Sequence, residues 1–451
     1  MTARLVVIGG DAAGMSAAST AKRGAGDDLE VVVVERDGWT SYSACGIPYW
    51  VAGDVDGPDG LVARTPEAHR ERGIDVRTGT TAAAVDVAAR TVTVRPTGAA
   101  VSDELAYDHL VIATGAAPIR PDLPGIDADG VHGVQTLDDG CRLLATLADH
   151  EPRRAVVVGA GYIGVEMAEA CLRRGLRTTI IDQAEEPMTL IDPDLGAKVR
   201  EAMIGFGVDV VTGSSVERVE TAGGRAAAVV ADGKTYDADL VVLGLGVRPQ
   251  SELALAAGLP LGGSGGIRVE PSTAVPGHEG VWAAGDCVES WDRVAESFVH
   301  VPLGTHANKQ GRVAGLNIAG GHAVFRGIVG TAVTKVCELE IARTGLSSAQ
   351  AEAAGHDVRS ATVDTTTKTG YFPGAEPMTV RLTAEPGGRL LGAQIVGGAG
   401  SALRIDTCAT ALWAGMSVQD LVDLDLAYAP PFSSTWDPVQ VAARALLSEL
   451  H

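Results

Sequence analysis

The chain has 451 residues, a length that predicts about three domains at about 150 residues each. Its hydrophobic content of 46% and its 57 glycines are typical of α/β layers joined by many sharp turns. The net charge of −21 would repel a phosphate backbone, so nucleic acid is excluded as an expected partner.

The cysteines and the first residues indicate the cellular location that we expect for the protein. The chain opens on MTARLVVIGG, which predicts a strand rather than a signal peptide. No apolar run reaches the roughly 18 residues of a membrane helix, so we expect a cytoplasmic protein. The spacing of the cysteines matches neither a metal site nor a short disulfide framework, so no metal site is predicted. The six cysteines are Cys45, Cys141, Cys171, Cys287, Cys337 and Cys408.

The first predicted element is a strand, a glycine turn, a helix of small residues and a second strand, over Arg4–Arg36. The turn contains Gly9 and Gly14 and places Asp11 where a nucleotide-binding turn usually has its middle glycine. A side chain there must point away from a bound phosphate. Glu35 ends the second strand, where its carboxylate would hold a ribose hydroxyl. The alternative is a glycine-rich turn that binds nothing.

A single cysteine, Cys45, follows this unit in the segment Trp39–Trp50. Redox cysteines usually come in pairs, but the partner positions hold Pro48 and Trp50. A reactive thiolate at Cys45 would need a pKa lowered by amides, a helix dipole or a nearby cation. The alternative role for Cys45 is that of a small core residue.

A second β-α-β unit, over Arg154–Gln183, repeats the pattern of the first. It carries G-x-G-x-x-G as Gly159, Gly161 and Gly164, which predicts a pyrophosphate at the helix N-terminus. Asp182 ends its second strand, where it would accept from a ribose 2′-hydroxyl. No basic residue follows at once, so NADH is favoured, with NADPH possible.

Two nucleotide sites in one chain suggest two cofactors that exchange electrons. Asp286 ends an apolar strand at a Gly-Asp turn, where a carboxylate could accept from the ribityl hydroxyls of a flavin. Further along, residues 378–398 predict an antiparallel hairpin around a Pro-Gly-Gly turn. Residues 402–414 predict an amphipathic helix, and a domain boundary is placed near Phe325.

These segments together resemble the FAD-dependent pyridine-nucleotide disulfide oxidoreductases. The resemblance rests on VVIGGDAAGMSAAS, CGIPY, VIATGA, VVVGAGYIGVEMAE, LGLGVRP, GVWAAGDC, PLGTHANKQGRVAG and YAPPFS, in this order. It implies an α/β fold with two Rossmann-like domains, for FAD and NAD, and a C-terminal α+β dimerisation domain. The implied FAD domain is residues 1–118 and 247–325, the NAD(P)H domain 119–246, and the interface domain of a homodimer 326–451.

Within that superfamily the chain is most similar to the single-cysteine branch, and among its members to coenzyme A-disulfide reductases. Oxidases and peroxidases of the branch typically have a histidine where this chain has Ala12. Tyr371 and Tyr428 match the tyrosines of the disulfide reductases, which reach the active site of the opposite subunit. The implied cycle passes electrons from NAD(P)H through FAD to Cys45, which reduces coenzyme A disulfide or a related small disulfide or polysulfide.

Two other functions stay open at this point. One is an NADH oxidase, forming water or peroxide, or an NADH peroxidase, each cycling through a cysteine sulfenic acid. The other is a flavin-bearing redox sensor without sizeable turnover. Substrate identity is not specified by the residues alone.

The resemblance also assigns roles to individual residues. Glu166 would contact the nicotinamide carboxamide and Tyr162 would gate that pocket; the alternatives are a solvated carboxylate and a packed aromatic ring. By the same resemblance, three cations border the implied coenzyme A channel and could contact the phosphates of coenzyme A. An equal alternative is that they are solvated surface residues. They are Lys22, Arg23 and Arg64. The remaining implied cofactor contacts are Ala13, Arg36, Ser43, Ala82, Ala113, Thr114, Gly115, Ile163, Gly246, Gly285 and Ala307.

Overall fold

A computed structural model describes residues 2–99 and 101–450. Its first sheet is parallel, and its β-branched strands are buried, as expected for a sheet covered on both faces. Helices Ala12–Ala25 and Gly304–Ile318 lie against each other beside this sheet. The strand order is Val281–Ala283, His109–Ile112, Ala3–Ile8, Leu29–Val34 and Ile74–Arg77.

Smaller elements complete this first region. An antiparallel sheet and a short hairpin flank the parallel sheet, and three short helices lie between the strands. The small sheet contains Thr80–Asp86, Thr91–Pro96 and Asp103–Ala106, and the hairpin contains Ser290–Asp292 and Ser297–Val299. The helices are Ile47–Ala52, Pro66–Arg70 and Glu252–Ala256.

The second region repeats the parallel arrangement. Strands Ala116–Pro118 and Val247–Pro249 pair antiparallel at the point where the chain enters and leaves it. The parallel strands lie in the order Asp209–Val211, Arg177–Ile181, Arg154–Val158, Leu240–Leu243 and Val131–Gly133. The other elements are helices Leu137–His150, Tyr162–Arg173 and Pro193–Gly205, and the antiparallel strands Val216–Ala222, Arg225–Ala231 and Lys234–Asp237.

The C-terminal region is an antiparallel sheet covered by helices. The strand order is Ala332–Val336, Leu339–Gly345, Leu390–Gly397, Pro377–Ala384 and Arg359–Thr366. The helices are Ser348–Ala353, Ile405–Ala414, Val418–Asp423 and Pro438–Glu449. The predicted hairpin is confirmed, because Met378 pairs with Gly397 across it. The predicted helix at 402–414 starts with a 3-10 turn and becomes α-helical at Ile405.

The predicted fold class, two nucleotide-binding α/β regions followed by an α+β region, is confirmed. The boundaries placed at residues 118, 246 and 325 stay predictions. Across the described parts of the chain, none of the helices combines the length and the apolarity that crossing a membrane requires.

Candidate active site

The first glycine turn brings a strand, a helix and an acid to one point. Gly9 has φ +107°, and a Cβ on it would lie 2.1 Å from the carbonyl oxygen of Ala113. A Cβ on Gly14 would lie 1.9 Å from the carbonyl oxygen of Gly9. Glycine is therefore required at both positions. The amide of Gly10 donates to Glu35 Oε2 at 2.6 Å, which fixes this carboxylate beside the turn.

Asp11 turns its side chain towards the cysteine segment. Its Oδ1 accepts from the amide of Tyr42 at 3.0 Å, and its side chain makes no capping bond to the helix that it precedes. Burial raises the pKa of Asp11 to about 7, against the opposing effect of the Tyr42 bond and with a further rise from Glu35.

The second glycine turn has the same construction. Gly159 has φ +97°, and a Cβ on Gly164 would lie 1.9 Å from the carbonyl oxygen of Gly159. Asp182 accepts from the amides of Ala160 at 2.5 Å and Ala184 at 2.8 Å. A Cβ on Gly161 would meet no atom within 4 Å, so its backbone is open to a phosphate.

A basic group, Arg200, is paired with an acid four residues after Asp182. Arg200 donates to Glu186 at 2.7 Å and 3.1 Å. Glu186 therefore holds this guanidinium in the structure, and the preference for NADH over NADPH stays a prediction.

One large cleft connects the first turn with the second. Its volume is 2760 Å³. Asp286 lies in its wall, and no hydrogen bond to its carboxylate is formed within residues 2–99 and 101–450, so it is free to accept from a ligand hydroxyl. The glycine turn, Glu35 and Asp286 therefore fit an adenine dinucleotide that carries a ribityl chain. Other predicted contacts on the wall are Gly9, Ala13, Arg36, Ser43, Ala82, Ala113, Thr114, Gly115, Gly161, Tyr162, Ile163, Glu166, Gly246, Gly285 and Ala307.

Cys45 also lies in this wall, in a 3-10 turn that leads into helix Ile47–Ala52. Its thiol is exposed to the cleft, and none of the other five cysteines lines it in the described chain. Pro48 and Trp50 are buried, away from the cleft surface. Desolvation raises the pKa of the Cys45 thiol, and the carboxylates of Glu166 and Asp286 raise it further. The lowered pKa that we expected for the thiolate is therefore not supplied by these neighbours.

Glu166 belongs to a contact between the second nucleotide unit and the C-terminal region. Thr334 donates to its Oε1 at 2.7 Å. Burial raises the pKa of Glu166 to about 7, the Thr334 bond opposes this rise, and Glu169 adds to it. A carboxyl with this pKa changes charge near neutral pH, on the wall where nicotinamide binding is predicted.

Tyr162 begins the helix that follows the second turn. Its phenol oxygen is buried and has no hydrogen-bond partner within the described chain. Burial raises the pKa of this phenol to about 12. A side chain without a polar partner loses no hydrogen bond when it moves, which is compatible with the predicted gating role.

Of the predicted catalytic and substrate residues, three do not line the cleft of their own chain. Tyr371 and Tyr428 lie on the surface of the C-terminal region, 76% and 50% exposed. Lys22 donates instead to the carbonyl oxygens of Gly26, at the end of its own helix, and of Leu29, in the next strand, at 2.8 Å and 3.0 Å. Arg23 and Arg64 do line the cleft.

Sequence reasoning missed two groups, one on the cleft wall and one hydrogen-bonded to a residue of that wall. His69 is fully buried and is hydrogen-bonded to Ser41 Oγ at 3.0 Å. Burial lowers the pKa of His69 to about 4, with Arg64 contributing, so its ring is neutral. Thr334 is the second omission. Neither lies in a local motif, so no short-range signal marked them.

Comparisons with known proteins agree with this geometry. Residues 3–311 match the pyridine nucleotide-disulphide oxidoreductase family, and residues 331–439 match the dimerisation domain of that family. The chain is 38% identical over 450 residues to the "NAD(P)H coenzyme A polysulfide/persulfide reductase" of Pyrococcus horikoshii, covering 99% of each chain. It is 35% identical over 451 residues to the "NADH oxidase" of Methanocaldococcus jannaschii, again covering 99% of each.

A solved structure shows the same likeness in three dimensions. Reduced Bacillus anthracis CoADR-RHD superposes with a TM-score of 0.95 and 34% identity, over 100% of this chain and 81% of that one. Members of the family bind FAD and NAD(P)H. The two glycine turns, the acids at their strand ends and Cys45 on the joint cleft thus belong to a redox enzyme. This chain is a member of the pyridine nucleotide-disulphide oxidoreductases.

Proposed function

We propose that the protein reduces coenzyme A disulfide, or a related small disulfide or polysulfide, at the expense of NADH through the single thiol of Cys45. The observation that carries this proposal is the isolation of Cys45 on the cleft. Since no second cysteine of the described chain lines the cleft, the second sulfur of the redox pair must come with the substrate.

The chemistry at Cys45 is a thiol–disulfide exchange followed by reduction. The Cys45 sulfur attacks one sulfur of the substrate, the sulfur–sulfur bond breaks, and one thiolate leaves and takes a proton. FAD bound in the cleft would relay an electron pair from NADH to the mixed disulfide. That pair splits the mixed disulfide, returns the Cys45 thiolate and releases the second thiol. The sum is one NADH and one proton consumed for two thiols formed.

A cation or an amide must still stabilise the thiolate, because the neighbouring carboxylates of Glu166 and Asp286 do not. Arg23 and Arg64 lie on the same cleft and would meet an anionic substrate. Such a substrate brings its phosphates to the arginines and its disulfide to Cys45. Contact of these arginines with coenzyme A stays a prediction.

The exposed apolar side chains of the C-terminal region support a homodimer with a shared active site. All but Leu403, which lies in the 3-10 turn Ala402–Arg404, are carried by two loops that are joined, since Thr369 donates to the carbonyl oxygen of Ser433 at 3.0 Å. Large exposed apolar groups concentrated in this way are typical of an interface. Tyr371 and Tyr428 would then reach the cleft of the partner and protonate the departing thiolate. The exposed set is Tyr371, Leu403, Tyr428, Phe432 and Trp436.

The test compares two cysteine variants in NADH-dependent turnover of coenzyme A disulfide. Cys45→Ser is expected to lose about a thousandfold or more, since it removes the nucleophile. Cys141→Ser is the matched control, because Cys141 is also exposed but lies off the cleft. Its rate is expected to stay within about twofold of wild type. Equal rates in wild type and Cys45→Ser would overturn the proposal.

NADH oxidase activity is the second candidate, favoured by the likeness to the Methanocaldococcus jannaschii protein. Ala12 argues against it, because this position on the cleft wall offers no group that could protonate a leaving hydroxide. The mass of the purified protein before and after reduction separates the two. A coenzyme A adduct on Cys45 supports the reductase, and a sulfenic acid supports the oxidase.

A further inference from the structure

We infer that Asp11 is a positioning residue that fastens the Cys45 segment to the FAD-binding turn, rather than a ligand of the cofactor phosphates. The position of the Cys45 sulfur then depends on the turn that binds FAD. The inference rests on the proposed function for its consequence in turnover, but its structural part holds for any acceptor.

The turn and the cysteine segment are joined by two successive hydrogen bonds. The amide of Ser41 donates to the carbonyl oxygen of Gly10 at 3.2 Å. The next amide, of Tyr42, donates to Asp11 Oδ1 at 3.0 Å. One of these bonds uses backbone alone, whereas the other depends on the side chain at position 11.

The direction of the Asp11 side chain is unusual for its place. An aspartate that immediately precedes a helix normally accepts from the amide of the second or third helical residue. Asp11 precedes helix Ala12–Ala25 and makes no such capping bond; from this helix only the adjacent amide of Ala12 lowers the pKa of Asp11. Its carboxylate instead accepts from the amide of Tyr42 in the cysteine segment. Glycine, the usual residue at this position of the fingerprint, has no side chain that could do so.

The opposite side of the cysteine segment is held by a different part of the chain. Ser43 donates its amide to the carbonyl oxygen of Leu61 at 2.9 Å, and Ala63 donates to that of Ser41 at 2.8 Å. Ser41 itself has φ +49°, a backbone conformation that non-glycine residues rarely adopt. Tethers on both sides are needed to maintain it, and Asp11 supplies one side.

The consequence concerns Cys45, three residues after Tyr42. The amide of Gly46 donates to the carbonyl oxygen of Ser43 at 3.0 Å, which closes the turn that carries the sulfur. Loss of the Asp11 bond therefore loosens the segment from its turn-facing side and moves the sulfur relative to the cofactor.

The experiment uses the FAD-loaded enzyme and three variants at position 11. Asp11→Ala removes the acceptor, whereas Asp11→Asn retains an oxygen that can accept from Tyr42. Asp86→Ala is the matched control, because it breaks an equivalent bond, from the amide of Ala89 at 2.8 Å, in an exposed turn. If Asp11→Ala fails to retain FAD, Asp11→Gly replaces it, since glycine occupies the corresponding position of the second turn.

The first readout is amide hydrogen exchange over residues 39–49, with and without FAD. Asp11→Ala is expected to exchange about tenfold faster than wild type in this segment, by the loss of one partly buried hydrogen bond. Asp11→Asn is expected to recover most of the protection, and Asp86→Ala to change only its own turn. Unchanged exchange in Asp11→Ala, or equal exchange in Asp11→Ala and Asp11→Asn, would overturn the inference.

The second readout is the ratio of coenzyme A disulfide turnover to NADH-dependent dye reduction, each per bound FAD. Dye reduction does not need Cys45, so a misplaced sulfur lowers the ratio, by about tenfold in Asp11→Ala. A ratio equal to that of wild type would contradict the coupling. If Cys45→Ser itself kept full disulfide turnover, the proposed function would fail while the exchange result would still stand.

Discussion

The two nucleotide-binding turns share their construction, and the difference that matters here lies at the third residue of each turn. In each, the last glycine lies against the carbonyl oxygen of the first, at a distance of 1.9 Å from where its Cβ would be. In each, the second residue of the turn donates its amide to the acid at the end of the next strand. The third residue is Asp11 in the first turn and Gly161 in the second.

The first turn therefore has a second function besides phosphate binding, whereas the second turn has phosphate binding alone. The space that a Cβ would occupy at Gly161 is open, as suits a turn that only receives a phosphate. Asp11 instead bonds to the segment that carries Cys45. A departure from a sequence fingerprint can therefore mark an added function in the same turn.

The largest expected effect comes from adding one methyl group to each turn. In Gly14→Ala the new Cβ must displace the carbonyl of Gly9, so FAD binding and all activity are expected to be lost. In Gly164→Ala the same clash falls on Gly159, so the protein should keep FAD and lose about a hundredfold or more in kcat/KM for NADH. Flavin absorbance per chain and initial rates measure the two effects.

Gly161→Ala is the control for that pair. Its Cβ meets no atom within 4 Å and its φ of −79° suits any residue. FAD content and thermal stability are expected to match wild type, with only NADH binding weakened. Loss of FAD in Gly164→Ala would contradict the assignment of one cofactor to each turn.

The next effect is a change of coenzyme. Asp182→Ala with Gln183→Arg removes the carboxylate predicted to hold the ribose hydroxyl and adds a cation for a 2′-phosphate. The preference for NADH over NADPH is expected to fall by about a hundredfold, measured as the ratio of the two kcat/KM values. Gln183→Ala, which adds no cation, serves as its control. An unchanged ratio in the double variant would place the ribose elsewhere.

Much of this architecture could be predicted from the sequence, because its reasons are local. Gly9, Gly14, Gly159 and Gly164 are required by the turn in which they stand, and the acids follow at the next strand end. The partner of Asp11 could not be predicted, since Tyr42 lies in another segment and only folding brings its amide near. Thr334 beside Glu166 depends in the same way on how the C-terminal region meets the second unit.

Lys22 illustrates the opposite case, a candidate with a local role that the sequence prediction did not weigh; its contact with coenzyme A phosphates stays a prediction. The sequence offered a cation on the first helix, and a cation suits a phosphate channel. The structure uses its ammonium group to bond the carbonyl oxygens of Gly26, at the end of that helix, and of Leu29, where the next strand begins. The local need of a helix end could have been weighed from the sequence, because Gly26 and Leu29 follow closely.

A smaller effect is expected from the pH dependence of NADH use. The pKa of Glu166 is raised from 4.5 to about 7 by burial, so its carboxylate form predominates only above that pH. The carboxylate is the stronger acceptor for a nicotinamide carboxamide, so kcat/KM for NADH is expected to rise by about tenfold from about pH 6 to about pH 8. Initial rates over this range measure it.

Glu166→Gln provides the control for that pH profile, because it retains an acceptor oxygen but does not titrate. Its kcat/KM for NADH is expected to be flat over the same range. An unaltered slope in Glu166→Gln would assign the titration to another group, of which Asp11 is the first to consider, since burial raises its pKa to about 7 as well.

The smallest effect tests how the helix after each turn is anchored. The first helix lies against Gly304–Ile318 at backbone distance, since a Cβ on Gly311 would be 2.1 Å from the carbonyl oxygen of Ala13. The second is anchored by charge: Lys335 donates to the buried Glu169 at 2.5 Å.

Lys335→Met is therefore expected to lower the melting temperature of the holoenzyme by only a few degrees. The lysine is half-exposed, and Glu169 keeps the amide of Cys337 at 2.8 Å. FAD content should not change, because the first helix takes no part in this pair. Differential scanning calorimetry measures the shift, with Lys198→Met as the control for an exposed pair to Asp364. A loss of FAD in Lys335→Met would mean that the two helices are not anchored independently.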